Sequence, residues 1–258
     1  MELESPSPKN PRRGIYLLPN LFTTAGLFSG FYGIVAAING RFEIAAMAIF
    51  IAMIMDGIDG RVARLTNTTS EFGVQYDSLS DMVCFGLAPA LIMYQWALRD
   101  LSAFGWFWAK LGWLSAFIYA AAGALRLARF NAQVDVADKR YFQGLPSPSA
   151  AAVVAGLVWM GADLGIDGSN FVWVGMLLTL MSGLLMVSNF RYYSFKELDF
   201  KNKVPFIVLL LAVMVLVFAS IDPPKVLFTG FLVYALSGPV FTLWRVRQRR
   251  RERHEPTV

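Results

Sequence analysis

Histidine and cysteine are almost missing from this 258-residue chain: each occurs once, as His254 and Cys84. A lone cysteine excludes a disulfide framework within the chain. One histidine near the end leaves no Cys/His set for zinc. Catalysis by Cys84 is not expected either, because a solitary cysteine among apolar residues behaves as a small hydrophobe. Charge is scarce too, at 16% of residues, against roughly 25% in soluble domains. Any acid–base chemistry in the apolar part of the chain therefore falls to carboxylates. The N-terminus is polar and proline-rich, with no small-residue cleavage site behind a short apolar core, so no cleavable signal is expected.

What is present in excess is apolar sequence. Hydrophobic residues make up 56% of the chain and the mean hydropathy is +0.51. They fall in eight blocks, roughly 17–38, 42–62, 78–98, 105–128, 149–163, 171–189, 205–221 and 225–244. A bilayer span takes about 20 such residues, so the fifth block is short. The expected fold is all-α, a polytopic membrane helix bundle of about eight transmembrane helices. Four of the 23 Lys and Arg (Arg41, Arg99, Lys110 and Lys225) fall on one side of it and the other 19 on the opposite side. The positive-inside rule makes the richer side cytoplasmic, together with both termini. The net charge of +5 then needs no nucleic acid. The basic run Arg245 to Arg251 follows an apolar span directly and suits anionic lipid headgroups.

The expected organisation is a polar arm over 1–14, a catalytic core over 15–190, two additional spans over 191–244 and a basic cytoplasmic tail over 245–258. No internal repeat is visible. The longer polar connections, near 64–76, 130–148 and 190–204, all lie on the cytoplasmic side, where loop-borne function is to be sought.

Against this background Asp56, Asp59, Asp77 and Asp81 stand out. Ionisable residues at membrane depth are costly and mark functional sites. Spacings of three and four put each pair on one face of its helix, and a cytoplasmic connection between the second and third spans lets the two pairs converge. Four clustered carboxylates need compensation, and Arg61 with Arg64 supplies only two positive charges. Two divalent cations would balance the set, and hard oxygen ligands suit Mg²⁺ or Mn²⁺. Such a pair favours phosphoryl chemistry by neutralising attacking and leaving oxygens. Gly57 reads as a helix-packing residue; Gly60 reads either as packing or as an opening for a ligand.

The run Asp56-x2-Asp59-Gly60-x2-Ala63-Arg64-x8-Gly73-x3-Asp77-x3-Asp81 resembles the signature of the CDP-alcohol phosphotransferases at every defined position. The resemblance implies a six-helix catalytic core that displaces CMP from a CDP-linked alcohol or lipid. It further implies that all four aspartates hold two metal ions and that Asp81 is the base for the acceptor hydroxyl. Asn20, Thr23, Gly60, Arg64 and Ser70 would contact the CDP-diacylglycerol donor. Asn20 and Thr23 are equally explained as helix-start residues.

Two more segments, Gly123 to Asn131 and Gly144 to Ala150, are similar to the bacterial membrane-embedded phosphatidylserine synthases of that family. This similarity implies L-serine as acceptor, CMP as product, a homodimer, and an inner-membrane location with the active site facing the cytoplasm. Arg126 and Arg129, one turn apart, could grip the serine carboxylate with their planar forks, and Asn131, Gln143 or loop carbonyls could serve the ammonium. The alternative is that both arginines only mark the inner membrane boundary. Direct displacement is expected, with the serine oxygen attacking the phosphorus that bears diacylglycerol. Glycerol phosphate, inositol phosphate or choline acceptors share the aspartate signature. A transporter would instead spread its acidic residues across the bilayer depth, whereas these cluster near one face.

Overall fold

The computed structural model describes residues 17–66, 68, 70–132, 141–193, 210, 213, 214, 217, 218 and 220–254. The polar arm and most of the seventh predicted span lie outside the described residues, as do 255–258 of the tail. Helices dominate: α1 (Leu17–Ile38), α2 (Phe42–Thr66), α3 (Glu71–Asp81), α4 (Ala88–Trp96), α5 (Trp106–Ala132), α6 (Ser147–Asp163), α7 (Val172–Val187) and α8 (Pro223–His254). A π-helical segment, Met82–Leu87, fuses α3 to α4, and Ala88 N–H reaches back to the Val83 carbonyl across it. Short 3₁₀ turns, Leu98–Phe104 and Gly168–Phe171, lead into α5 and α7.

Among the described residues, four helices are long and apolar enough to cross a membrane, or five if the bent α3–α4 run with its 3₁₀ turn counts as one span. The fold is thus an all-α membrane bundle. Two predicted spans miss the criterion for separate reasons. α2 has 25 residues but carries Glu43, Asp56 and Asp59 besides Arg61 and Arg64. α6 has only 17 residues, about 25 Å at 1.5 Å per residue, short of a hydrocarbon core of about 30 Å. α6 nevertheless lies at the centre of the bundle. Its Ala, Val and Gly residues from Ser149 to Val158 are buried without a break. Small side chains let neighbouring helices close on it from all sides.

One departure from a purely helical fold is a two-stranded antiparallel ribbon, β1 (Tyr141–Gln143) with β2 (Arg191–Tyr193), pairing Phe142 with Tyr192. It joins the chain before α6 to the chain after α7 at the same end of the bundle. Tyr192 is fully buried and donates to the Ala235 carbonyl of α8 at 2.9 Å.

Candidate metal and substrate site

α2 and α3 build the acidic centre. α2 closes with Thr66 Oγ1 donating to the Val62 carbonyl at 2.7 Å, and Thr68 N–H then reaches the Ala63 carbonyl at 3.1 Å. Ser70 caps α3 by accepting from Gly73 N–H at 3.0 Å. The third span was expected to open at 78, but the helix starts at Glu71, so Asp77 and Asp81 sit on a helix already under way. A polar start hides this turn from a hydropathy reading, whereas the Ser70 cap satisfies backbone N–H groups that would otherwise be orphaned.

The two helices bring one carboxylate oxygen each from Asp56, Asp59 and Asp77 within 4.8 Å of one another. Asp81 faces Asp56, carboxyl to carboxyl within hydrogen-bonding range. Asp59 is buried and the other three are half-buried. The four line one recess together with Gly26, Ala52 and Phe85. All-oxygen donors at this density form a set for a hard divalent cation.

α1 supplies the remaining wall. Buried Thr23 Oγ1 donates to Asp59 Oδ2 at 2.8 Å, and Pro19 O lies 3.1 Å away. Ser80 donates to the Thr23 carbonyl at 3.3 Å. Thr24 Oγ1 and Tyr76 Oη pair at 2.9 Å, tying α1 to the first turns of α3. Asn20 stands beside Gly73 and Ser70: a Cβ on Gly73 would lie 3.4 Å from Asn20 Oδ1 and 3.1 Å from Ser70 Oγ. Asn20, Thr23 and Ser70 therefore gather at the same end of the bundle as the aspartates. Gly60 opens outward, since a Cβ there would meet only Arg64 Nη1, at 3.7 Å. Gly57 does not pack against a neighbour as expected: a Cβ there would find nothing within 4 Å.

The two arginines of α5 diverge. Arg126 is buried, and its Nη1 donates to Ser147 Oγ at the start of α6 at 2.9 Å. Among the described residues its Nε is buried with no hydrogen-bond partner. Asp81, Arg129, Tyr234 and Tyr119 lie within electrostatic range of it. Arg129 points the other way, into the connection after α7. Its Nη1 donates to Val187 O at 3.0 Å and Asn189 Oδ1 at 3.3 Å; its Nη2 donates to Gln143 O at 3.1 Å and Ser188 O at 3.3 Å. Asn131 donates to Ser78 Oγ at 3.0 Å and links the end of α5 to α3. Sequence reasoning missed Ser147 as the partner of Arg126, although the Pro146-Ser147-Pro148 turn carried a signal for it.

A helical membrane bundle with four aspartates converging at one end defines a membrane protein with a candidate divalent-metal centre. The CDP-alcohol phosphatidyltransferase family model matches residues 16–187, and the chain belongs to that family. Over its length it is similar to a Helicobacter pylori protein named CDP-diacylglycerol–serine O-phosphatidyltransferase, with 35% identity across 93% of this chain and 96% of that one. Proteins of the same name from Methanocaldococcus jannaschii and Saccharomyces cerevisiae are 34% and 37% identical. They cover 62% and 51% of this chain and 67% and 50% of their own lengths.

Proposed function

We propose that this protein transfers the phosphatidyl group of CDP-diacylglycerol to the hydroxyl of L-serine and releases CMP. The observation that carries the reading is the meeting of Asp56, Asp59, Asp77 and Asp81 in one recess, with the buried Arg126 within electrostatic range of Asp81. The relatives bear the name of this reaction.

The donor set fits divalent metal, because three carboxylate oxygens converge within coordination reach and Asp81 abuts Asp56. Asp56, Asp59, Asp77 and Asp81 would hold two ions, Mg²⁺ or Mn²⁺. When bound, such ions neutralise the pyrophosphate of the donor and the charge growing on the leaving phosphate. Thr23 fixes the Asp59 carboxylate by its hydroxyl and so orients a ligand. Asn20, Ser70, Gly60 and Arg64 bind the CDP moiety, with Gly60 leaving room for its approach. Arg126 holds the serine carboxylate and turns the hydroxyl toward Asp81. Asp81 takes the hydroxyl proton as the serine oxygen bonds to the phosphorus bearing diacylglycerol. The bond between that phosphorus and the bridging oxygen breaks, and its electron pair leaves with CMP.

Arg129, with its donors directed at chain carbonyls, positions the connection between α7 and β2. Asn131 steadies α3 through Ser78. Eight spans, both termini in the cytoplasm, a bacterial inner-membrane location and a homodimer complete the reading. The lopsided distribution of Lys and Arg supports this orientation.

The test incubates purified protein with CDP-diacylglycerol and Mg²⁺ or Mn²⁺ against serine, glycerol 3-phosphate, inositol, inositol phosphate or choline, reading CMP. Serine-dependent release is expected, and Asp81→Asn should lower it by roughly 10²-fold or more. Release with another acceptor and none with serine would overturn the serine assignment. Full activity of Asp81→Asn, or release without metal, would overturn the mechanism.

A further inference from the structure

α5 runs against the π-segment that follows Asp81. A Cβ on Gly123 would lie 3.4 Å from Gly86 Cα, and Tyr119 Oη donates to the Phe85 carbonyl at 3.0 Å. Nearer the acidic end, Asn131 donates to Ser78 Oγ at 3.0 Å. The Gly86–Gly123 and Ser78–Asn131 contacts stand the same number of residues apart on the two antiparallel runs. That register sets Arg126 at the level of Val83, about 3 Å along the axis from Asp81 at 1.5 Å per residue. The π-segment also packs on α6, whose first residue, Ser147, is buried at 5% exposure. Arg126 therefore lies at the junction of α5, α6 and the run that carries Asp81.

At this junction Ser147 Oγ accepts from Arg126 Nη1 at 2.9 Å. Arg126 is 8% exposed, and among the described residues its Nε N–H has no partner. A charged donor left unanswered in the interior costs free energy, so the arrangement favours a ligand that accepts from it. The start of α6 sharpens the demand for an anion. Pro146 precedes the helix and no side chain caps it, so the positive end of the helix dipole and the guanidinium lie side by side. A carboxylate answers both. Arginine binds carboxylates through a planar fork, and the direction of that plane decides whether the fork fits. With Nη1 held by Ser147, the plane is set and Nε is left to the ligand.

We propose that Ser147 is a positioning residue of the acceptor pocket: by accepting from Nη1 it orients Arg126 so that Nε meets the acceptor's anionic group, the carboxylate in serine, at the start of α6. This rests on the reading of Arg126 as the acceptor site. It gives the Pro146-Ser147-Pro148 turn a part in acceptor binding as well as in opening a helix.

The test uses the full chain in detergent with CDP-diacylglycerol and metal, following CMP release. Ser147→Ala should raise KM for serine roughly tenfold, as loss of a hydrogen bond to a charged group does, with KM for CDP-diacylglycerol little changed. Ser147→Thr keeps the hydroxyl and should restore the serine KM. Ser147→Cys, close in volume but a weak acceptor, should fall between them, and it carries the same decision where Ser147→Ala yields no folded protein. Because Ser147 acts through the guanidinium, Ser147→Ala added to Arg126→Lys should raise the serine KM little beyond Arg126→Lys alone. A serine KM unchanged in Ser147→Ala and Ser147→Cys would overturn the proposal. So would equal rises for donor and acceptor, or effects of Ser147→Ala and Arg126→Lys that simply multiply. If the unaltered protein releases CMP with another acceptor and none with serine, the serine assignment fails by itself. The same series on that acceptor then decides on Ser147: a selective rise for an anionic acceptor supports its role, and an unchanged KM, or use of a neutral or cationic acceptor, overturns it.

Discussion

At the scale of single residues, Arg126 and Arg129 share a helix, a charge and a spacing of one turn, yet their surroundings separate them. Arg126 turns inward to Ser147; Arg129 turns outward and gathers oxygens from Gln143, Val187, Ser188 and Asn189. Lysine cannot reproduce that fork. Arg129→Lys should therefore lower stability by about 2 kcal/mol, because carbonyls lose charged donors, with a small effect on serine KM. Arg126→Lys should raise serine KM strongly; thermal melting alongside initial rates tells the two apart. Gly144 belongs to the same assembly. Its φ is +76°, and a Cβ would lie 2.2 Å from the Met186 carbonyl oxygen. Gly144→Ala meets both left-handed backbone and backbone overlap, and should abolish accumulation of folded protein, read by size-exclusion chromatography.

At the scale of elements, the acidic centre depends on α1 pressing against the α3–π–α4 run. π-segments insert an extra residue into a helix and recur at functional sites; here the segment begins directly after Asp81. Gly30 is where α1 meets it, for a Cβ there would lie 2.7 Å from Cys84 Sγ and 3.0 Å from Cys84 Cα. Cys84 in turn donates to the Gly26 carbonyl at 3.3 Å. Gly30→Ala should push α1 outward, taking Thr23 from Asp59, and cost about 1–3 kcal/mol as overpacking does. Cys84→Ala in that background should recover part of the loss, the backbone contact at Cys84 Cα preventing full recovery. Melting temperatures of both single variants and the double variant give the coupling; strict additivity would show that the two positions do not press on each other. The helices themselves were largely legible from hydropathy, since α1, α2, α5 and α7 begin within a few residues of their apolar blocks. α3 was not legible, because its first turns are polar and owe their form to the Ser70 cap and the Thr24–Tyr76 bond.

At the scale of the molecule, the proposed topology has a direct test that the chain's composition makes clean. Cys84 is the sole cysteine and is buried, so a Cys84→Ala background accepts single cysteines. Cysteine at Asp167 or Asp100 should react with a membrane-impermeant maleimide in intact cells. Cysteine at Leu65 should react only after the membrane is opened. Labelling of Leu65→Cys from outside would invert the orientation and with it the side from which donor and serine enter.

The sequence by itself determined the acidic centre, because its carboxylates are spaced at helical intervals and helix geometry is local. It also determined the membrane character and the sign of the charge bias, which are sums over residues and need no fold. Only the tertiary structure decided which arginine is buried, since a one-turn spacing leaves both on one side of α5 and the Ser147 and Gln143 partners come from elsewhere in the chain. Only the tertiary structure made α6 the buried centre despite its shortness, through small residues that admit neighbours on every side. The place of α8 was decided the same way. It packs at Gly156 against α6 and at Gly238 against Tyr192, contacts between segments far apart in the chain that no local pattern records.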